Sequence, residues 1–356
     1  MTLYHPELAC PPLEGFRIHS GFRIESGMTI KNVLNWAVNN LKKASSSPAL
    51  DAEVLFCHVL KRDRGWLYAN PEFKLSRVQH SKFKILISKR ARYWPVAYLT
   101  GHKEFFGLDF LVTPAVLIPR PETETLVELA FLHISSLPAR GGVRGDGRKG
   151  RINVIDLGTG SGNIIITIVK AMQNRPFSPG EGRSWKRGRI AAYKFYAVDT
   201  SAKALQIAKS NARRHRVLNK IKFLRGNLLD PLSPIFSPLI RGRLRGGRIL
   251  IIANLPYLTA SQYSSNPDLA REPRQALATG PDGLKYYKEL FAQLHKFPSS
   301  PGEGRMPEGQ ERSNLILLFE HDPAQKPALA KLAKKYFPSA RVTFHQDLAG
   351  NYRIID

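Results

Sequence analysis

From Thr29 onward the apolar positions fall at helical intervals. Ile30, Leu34, Ala37 and Leu41 recur three or four residues apart, which places them on one face of a helix with Thr29 before them as an N-cap. Ser47-Pro48 opens a second helix carrying Leu50, Val54, Leu55 and Val59; proline suits the first helical position, where an N–H would have no partner anyway. A third helix is predicted over Leu75–Arg92. Residues 28–98 therefore read as a small helical domain. Over His102–Thr113 aromatic and polar residues alternate around Gly107, the signature of a hairpin, here read as a linker within residues 99–120. Met1–Gly27 carries Gly-Phe-Arg-Ile twice, at Gly15 and Gly21, without helix or strand periodicity, and reads as a disordered leader.

Residues 121–356 alternate short apolar runs with helical stretches. Strands are predicted at Ile152–Asp156, Phe195–Asp199, Ile221–Arg225, Ile249–Ala253, Leu315–Glu320, Arg341–His345 and Tyr352–Ile355. Helices fit between them at Gly162–Gln173, Ser201–His215, Leu284–Lys296 and Pro323–Tyr336. Such alternation builds an α/β domain around a parallel or mostly parallel sheet with helices on both faces.

Composition narrows the class. The longest apolar runs, Ile164–Val169 and Ile249–Ala253, are far shorter than the roughly 20 residues of a membrane span. Cys10 and Cys57 are the only cysteines, and the histidines are scattered, so neither a disulfide framework nor a structural metal site is expected, and the cytoplasm is the expected compartment. The net charge of +26 would ordinarily point to nucleic acid. Its distribution weakens that reading: Leu137–Arg151, Asn174–Ile190 and Ile235–Arg248 together hold +12 of it in aperiodic stretches rich in Gly, Pro, Ser and Arg. With Phe297–Ser313, which repeats Ser178-Pro-Gly-Glu-Gly-Arg183 as Ser300-Pro-Gly-Glu-Gly-Arg305, they read as solvated insertions near 137–151, 174–190, 235–248 and 297–313. They leave room for a nonspecific grip on RNA and no more.

Two motifs carry chemistry. In Val154-Ile-Asp-Leu-Gly-Thr-Gly-Ser-Gly162 a buried strand ends in Asp156, and Gly158, Gly160 and Gly162, with Thr159 and Ser161 between them, let the backbone turn close to a ligand. The spacing is Gly-x-Gly-x-Gly rather than the dinucleotide Gly-x-Gly-x-x-Gly, which suits a ligand without a pyrophosphate. The next strand ends in Asp199, a carboxylate placed to accept ribose hydroxyls. The second motif follows the fourth strand directly: Asn254-Leu-Pro-Tyr257. An amide or aromatic amine nitrogen is a poor nucleophile because its lone pair is delocalised. The Asn254 side-chain oxygen and the Leu255 carbonyl can each accept one N–H of such a group, holding its lone pair in line for attack. Tyr257 offers a flat face to the planar group, and Pro256 stiffens the loop.

Seven strands with helices on both faces is the layout of the class I S-adenosylmethionine-dependent methyltransferase sheet. The chain resembles the HemK/PrmC family, the peptide-chain release factor glutamine N5-methyltransferases, over nearly everything from Met28 to Asp356 outside the four insertions. The resemblance rests on Pro95-Val-Ala-Tyr-Leu-Thr-Gly101, Glu104-Phe105, Leu117-Ile-Pro-Arg-Pro-Glu-Thr-Glu124, Glu272-Pro273, Ala276-Leu277, Asp282-Gly-Leu284 and Asp347-Leu-Ala-Gly-Asn-Tyr-Arg353, besides the two motifs. It implies that Gly158–Gly162, Asp199 and Asn254 bind S-adenosylmethionine, which leaves as S-adenosylhomocysteine, and that Asn254–Tyr257 hold the glutamine. It also implies a substrate, the Gly-Gly-Gln loop of class I release factors, recognised with the help of the helical domain by an enzyme acting as a monomer. Two positions depart from the family pattern. Leu255 stands where the family has the first proline of Asn-Pro-Pro-Tyr, though its carbonyl survives. Asn227-Leu228 stands where an acid and an aromatic are usual; Asn227 can still reach adenine, whereas Leu228 stacks less well, so lower cofactor affinity is expected.

The wording Asn-Leu-Pro-Tyr is shared with ribosomal RNA adenine N6-methyltransferases, the alternative reading. Those enzymes carry their helical domain after the sheet, and the Ile-Pro-Arg-Pro-Glu run has no place in them.

Overall fold

The computed structural model describes residues 28–136, 152–174, 193–233, 248–296 and 315–356; the leader and, apart from the end residues Asn174 and Arg248, the four insertions lie outside the described residues. The chain divides into two compact units between Thr100 and Gly101.

In the first unit Thr29 caps α1 (Ile30–Leu41), its side chain accepting from the Asn32 N–H, and Pro48 opens α2 (Pro48–Leu60). Two short helices interrupt the predicted scheme, α3 (Arg64–Ala69) and α5 (Val96–Thr100). The latter crosses the predicted boundary at residue 98, so the unit extends to Thr100. Between them α4 (Arg77–Arg90) starts two residues later than expected, because Ser76 and Gln79 form a reciprocal capping box. The buried face of α2 is Ala52, Leu55 and Phe56, and Leu50, expected on it, is exposed. A three- or four-residue spacing fits more than one face of a short helix; here Phe56 settles the choice by packing on Phe83 of α4 with ring centroids 4.5 Å apart. Arg90 and Asp51 form a mostly buried ion pair at 2.6 Å that ties α4 to α2.

The second unit begins with the hairpin of β1 (His102–Phe105) and β2 (Leu108–Leu111). Both turn residues, Phe106 and Gly107, have positive φ, the geometry a two-residue hairpin needs to match strand twist. The hairpin is part of this unit's core, with Phe105 and Phe110 fully buried. Next comes α6 (Glu122–Ser136), a helix the motif reading had concealed; it buries Thr123, Leu126, Val127, Ala130 and Ile134 at helical spacing.

The seven-stranded sheet comprises β3 (Ile152–Leu157), β4 (Tyr193–Asp199), β5 (Ile221–Arg225), β6 (Arg248–Ala253), β7 (Leu315–Glu320), β8 (Phe344–Gln346) and β9 (Tyr352–Ile355), in the order β5-β4-β3-β6-β7-β9-β8. The first five pair in parallel, and β9 inserts antiparallel between β7 and β8. Side chains alternate between two cores. Val154 of β3 and Leu250 and Ile252 of β6 face α6, α7 (Asn163–Asn174) and α8 (Ala202–Arg214). Ile155 and Leu157 of β3, with Ile249 and Ile251 of β6, face α10 (Lys285–Lys296) and α11 (Lys326–Tyr336). The sheet is thus covered on both faces, as parallel strands require. Among the predicted strands and helices of this unit, three differ in extent by two residues or more: the strand expected at 195–199 is Tyr193–Asp199, the strand expected at 341–345 is Phe344–Gln346, and the helix expected from Pro323 begins with a 3-10 turn, Pro323–Gln325. A short α9 (Ala260–Ser264) follows the Asn254 loop. Among the described residues no helix is long and apolar enough to cross a membrane.

Candidate active site

Strand order reverses direction between β3 and β6, and in open α/β sheets ligands bind beyond the carboxyl ends of the strands at that point. The glycine loop leaves β3 there, and Asn254–Tyr257 leaves β6 beside it.

Gly158, Gly160 and Gly162 all have positive φ (70°, 54° and 81°), conformations that side chains other than glycine rarely adopt. The loop divides into two faces. Gly158 and Gly160 line a cleft that also takes in Asp199, Leu228, Asn254 and Pro256. Thr159, Ser161 and Gly162 turn inward. The Thr159 hydroxyl donates to Asp156 at 2.6 Å, and Ser161 to Asn163 at 3.0 Å. A methyl on Gly162 would stand 2.7 Å from Ile166 and 3.2 Å from Ala208, so the absence of a side chain here serves the packing of α7 on α8. Asp156 is fully buried with one carboxylate oxygen unpartnered among the described residues. Burial pushes its carboxyl up to about 7, against the opposing pull of the Thr159 hydroxyl and the Ile165 N–H.

Asp199 braces the loop: one oxygen accepts from the Gly160 N–H at 2.9 Å and the other from the Ser201 N–H at 2.8 Å. A carboxylate has about four lone-pair sites, so acceptor capacity remains for a ligand hydroxyl. Burial raises its pKa, and the backbone N–H groups of Ser201, Gly160 and Thr200 hold the rise back. Leu228 sits at φ 46° and is largely buried in the cleft wall, supplying an apolar surface in place of a stacking ring. Asn227 lines the same cleft, but its amide nitrogen donates to Glu289 of α10, which leaves its side-chain oxygen for a ligand.

The Asn254 amide nitrogen donates to the Thr123 hydroxyl at 3.1 Å and to the Glu320 carboxylate at 3.0 Å. Thr123 itself donates to Glu320 at 2.7 Å, and the Tyr257 hydroxyl donates to the other Glu320 oxygen at 3.2 Å. Burial drives the Tyr257 phenol pKa well up, so it stays a donor. Leu255 is buried with its side chain against the glycine loop, where a methyl on Gly158 would stand 3.4 Å from it; the residue replacing proline thus anchors the loop by packing. The Tyr257 carbonyl accepts from Gln325 at 2.8 Å, and Gly283 lies so close to that carbonyl that a side chain there would collide with it.

The remaining motif residues frame this network. Glu272 accepts from the Ile118 N–H and pairs with Arg120, while Glu124 accepts from the Phe106 N–H of the hairpin turn. Asp347 closes its own turn by accepting from the N–H groups of Ala349 and Asn351 and from Arg353. Thr123 and Glu320 were not singled out from the sequence, although Glu320 carried the same signal as Asp199: an acid at the carboxyl end of a strand in this sheet. Among the described residues no group of His, Cys, Asp or Glu could hold a metal ion.

Comparison with known proteins agrees with this geometry. The family model described as the PrmC N-terminal domain matches residues 32–101. A release factor glutamine methyltransferase from Nitratidesulfovibrio vulgaris is 32% identical over 92% of this chain and 94% of its own length. One from Coxiella burnetii is 31% identical over 92% of this chain and 98% of its own. At that identity and coverage, over a sheet whose carboxyl edge brings the glycine loop and the Asn254 loop together, the chain belongs to the release factor glutamine methyltransferase family.

Proposed function

We infer that this protein transfers a methyl group from S-adenosylmethionine to the side-chain amide N5 of the glutamine in the Gly-Gly-Gln motif of class I peptide chain release factors. Family membership supports the activity, and the observation that carries the assignment of its site is the Asn254 amide. Both of its N–H groups are taken up by Thr123 and Glu320, so what it offers the cleft is an acceptor. A glutamine side chain presents two N–H donors, and an acceptor pair formed by the Asn254 oxygen and the Leu255 carbonyl would hold both. The nitrogen lone pair is then directed out of the amide plane, and fixing that orientation removes much of the entropic barrier to reaction.

The cleft fits the cofactor. Gly158 and Gly160 present bare backbone, Asp199 retains acceptor sites for ribose hydroxyls, and Leu228 gives an apolar wall for the base. When bound there, S-adenosylmethionine supplies an electrophilic methyl group on a sulfonium. The Tyr257 ring, held through its hydroxyl by Glu320, would offer its flat face to the planar amide. The enzyme acts as a monomer in the cytoplasm, and any contact with RNA falls to the basic insertions.

The test is incubation of the whole chain with a purified release factor and methyl-labelled cofactor, followed by mapping of the label. Label on the Gly-Gly-Gln glutamine is expected. Label on RNA adenine, with the release factor untouched, would overturn the reading.

A further inference from the structure

We propose that Glu320 is a positioning residue for the reaction: its carboxylate orients the Asn254 side chain so that the amide oxygen, not the amide nitrogen, is presented to the substrate. The inference deepens the reading of Asn254 just given and rests on it.

An asparagine side chain is nearly symmetric in shape, and a half-turn about its last bond exchanges an acceptor for a donor. A donor in that place would meet the N–H groups of the substrate amide head on and could not hold them. The orientation must therefore be fixed by neighbours. Glu320 lies at the end of β7, 1% exposed. As a carboxylate it only accepts, so it can face only the nitrogen end of Asn254. The Thr123 hydroxyl has one proton, and it goes to Glu320 at 2.7 Å. Its lone pair is thereby turned to the second Asn254 N–H at 3.1 Å. Every donor in the triangle has one acceptor, and with the Tyr257 hydroxyl donating to the other oxygen Glu320 has only accepting roles, those of a carboxylate. The same carboxylate holds the Tyr257 hydroxyl, so one buried charge sets both polar members of the Asn254–Tyr257 loop.

The groups around Glu320 bear on its ionisation. Burial pushes its pKa up, the Thr123 and Tyr257 hydroxyls and the positive charge of Arg353 on β9 pull it down, and Glu122 on α6 opposes them. The Tyr287 hydroxyl of α10 donates to the Glu320 backbone carbonyl and so leaves the carboxylate free for the loop. Protonated Glu320 would become a donor on one oxygen, and either the triangle or the bond from Tyr257 would be lost. Turnover should therefore fall at acid pH as Glu320 takes up its proton.

Glu320→Gln is the direct test, because it keeps the shape and replaces an acceptor with a donor. Expected is a fall in kcat on the order of 10²-fold, with the dissociation constant for S-adenosylmethionine unchanged by calorimetry and the acid limb of the wild-type kcat–pH profile abolished. Because Glu320 acts chiefly through Asn254, the double variant Asn254→Ala/Glu320→Gln should lose far less than the product of the two single losses, the remainder reflecting its hold on Tyr257. Should Glu320→Gln not fold, Thr123→Val removes two sides of the triangle, leaves the bond from Asn254 to Glu320, and should show a smaller kcat loss with the same non-additivity. Retained activity in Asn254→Ala would remove the underlying reading of Asn254. Lost activity in Asn254→Ala with a wild-type rate and pH profile in Glu320→Gln, or strictly additive losses, would overturn the role of Glu320 alone.

Discussion

Asn211 of α8 and Leu111 of β2, 100 residues apart in the chain, exchange two hydrogen bonds: the Leu111 N–H donates to the Asn211 side-chain oxygen at 2.8 Å, and the Asn211 amide returns one to the Leu111 carbonyl at 3.0 Å. The second amide hydrogen goes to the Ser161 carbonyl at 2.8 Å. One fully buried asparagine thus fastens the hairpin and the glycine loop to the same helix. Asn211→Leu, close in volume, removes the side-chain partner of the part-buried Leu111 N–H and carbonyl and of the buried Ser161 carbonyl. At about 1–3 kcal/mol for each unsatisfied group, a loss of about 3 kcal/mol or more in urea denaturation is expected, with weakened cofactor binding in the remaining folded protein.

Asp199 is expected to act on cofactor affinity twice, by meeting the ribose and by holding Gly160 in place. Asp199→Ala should weaken S-adenosylmethionine binding by roughly 1.5–3 kcal/mol, the range for hydrogen bonds to a charged group. Calorimetry that shows unchanged affinity would move the ribose contact elsewhere.

Asp156 makes a prediction about pH and stability. Its carboxyl titrates near 3.8 when exposed and is pushed up to about 7 in the folded protein. The folded state therefore binds the proton more tightly than the unfolded state. The resulting stabilisation is complete below the lower value and is lost as pH rises through the upper one. Asp156→Asn has no such proton to lose. Its stability relative to the wild type should improve steadily between about pH 4 and about pH 7 and level off above. Denaturation midpoints of the two proteins measured across that range check the slope, and a difference independent of pH would refute the assignment.

Gly283 approaches the Tyr257 loop from behind. At φ 68°, a methyl group there would stand 2.1 Å from the Tyr257 carbonyl and 2.2 Å from the Gln325 amide. Gly283→Ala must displace the backbone of the loop that follows Asn254. A stability loss of about 1–3 kcal/mol is expected from overpacking, accompanied by a fall in kcat larger than that in cofactor affinity, because the displaced carbonyl belongs to the substrate side of the site.

The elements legible in the sequence were those whose signal is local. The runs Ile152–Asp156 and Ile249–Ala253 are apolar throughout because both faces of a central parallel strand are covered, so strand and sheet class follow from a few consecutive residues. Gly158, Gly160 and Gly162 announce a turn because positive φ excludes most other residues. Thr29 and Pro48 mark helix starts because the orphan N–H groups of a first turn are satisfied or absent there. The same local signals do not say which face a side chain takes in three dimensions. Thr159, Ser161 and Gly162 share the motif with Gly158 and Gly160 yet turn inward, through the bonds to Asp156 and Asn163 and, for Gly162, the close approach of Ile166 and Ala208.

Asn254 was identifiable from its place after an apolar strand, but its orientation was not. That depends on Thr123, 131 residues earlier, and on Glu320, 66 residues later, meeting it at the edge of the sheet. Chain sequence determined the strands, the turns and the acids that close them, each from short-range pattern. Which end of the Asn254 amide faces the cleft was decided by tertiary structure alone, because a hydrogen bond depends on distance and direction between groups that only the folded sheet brings together.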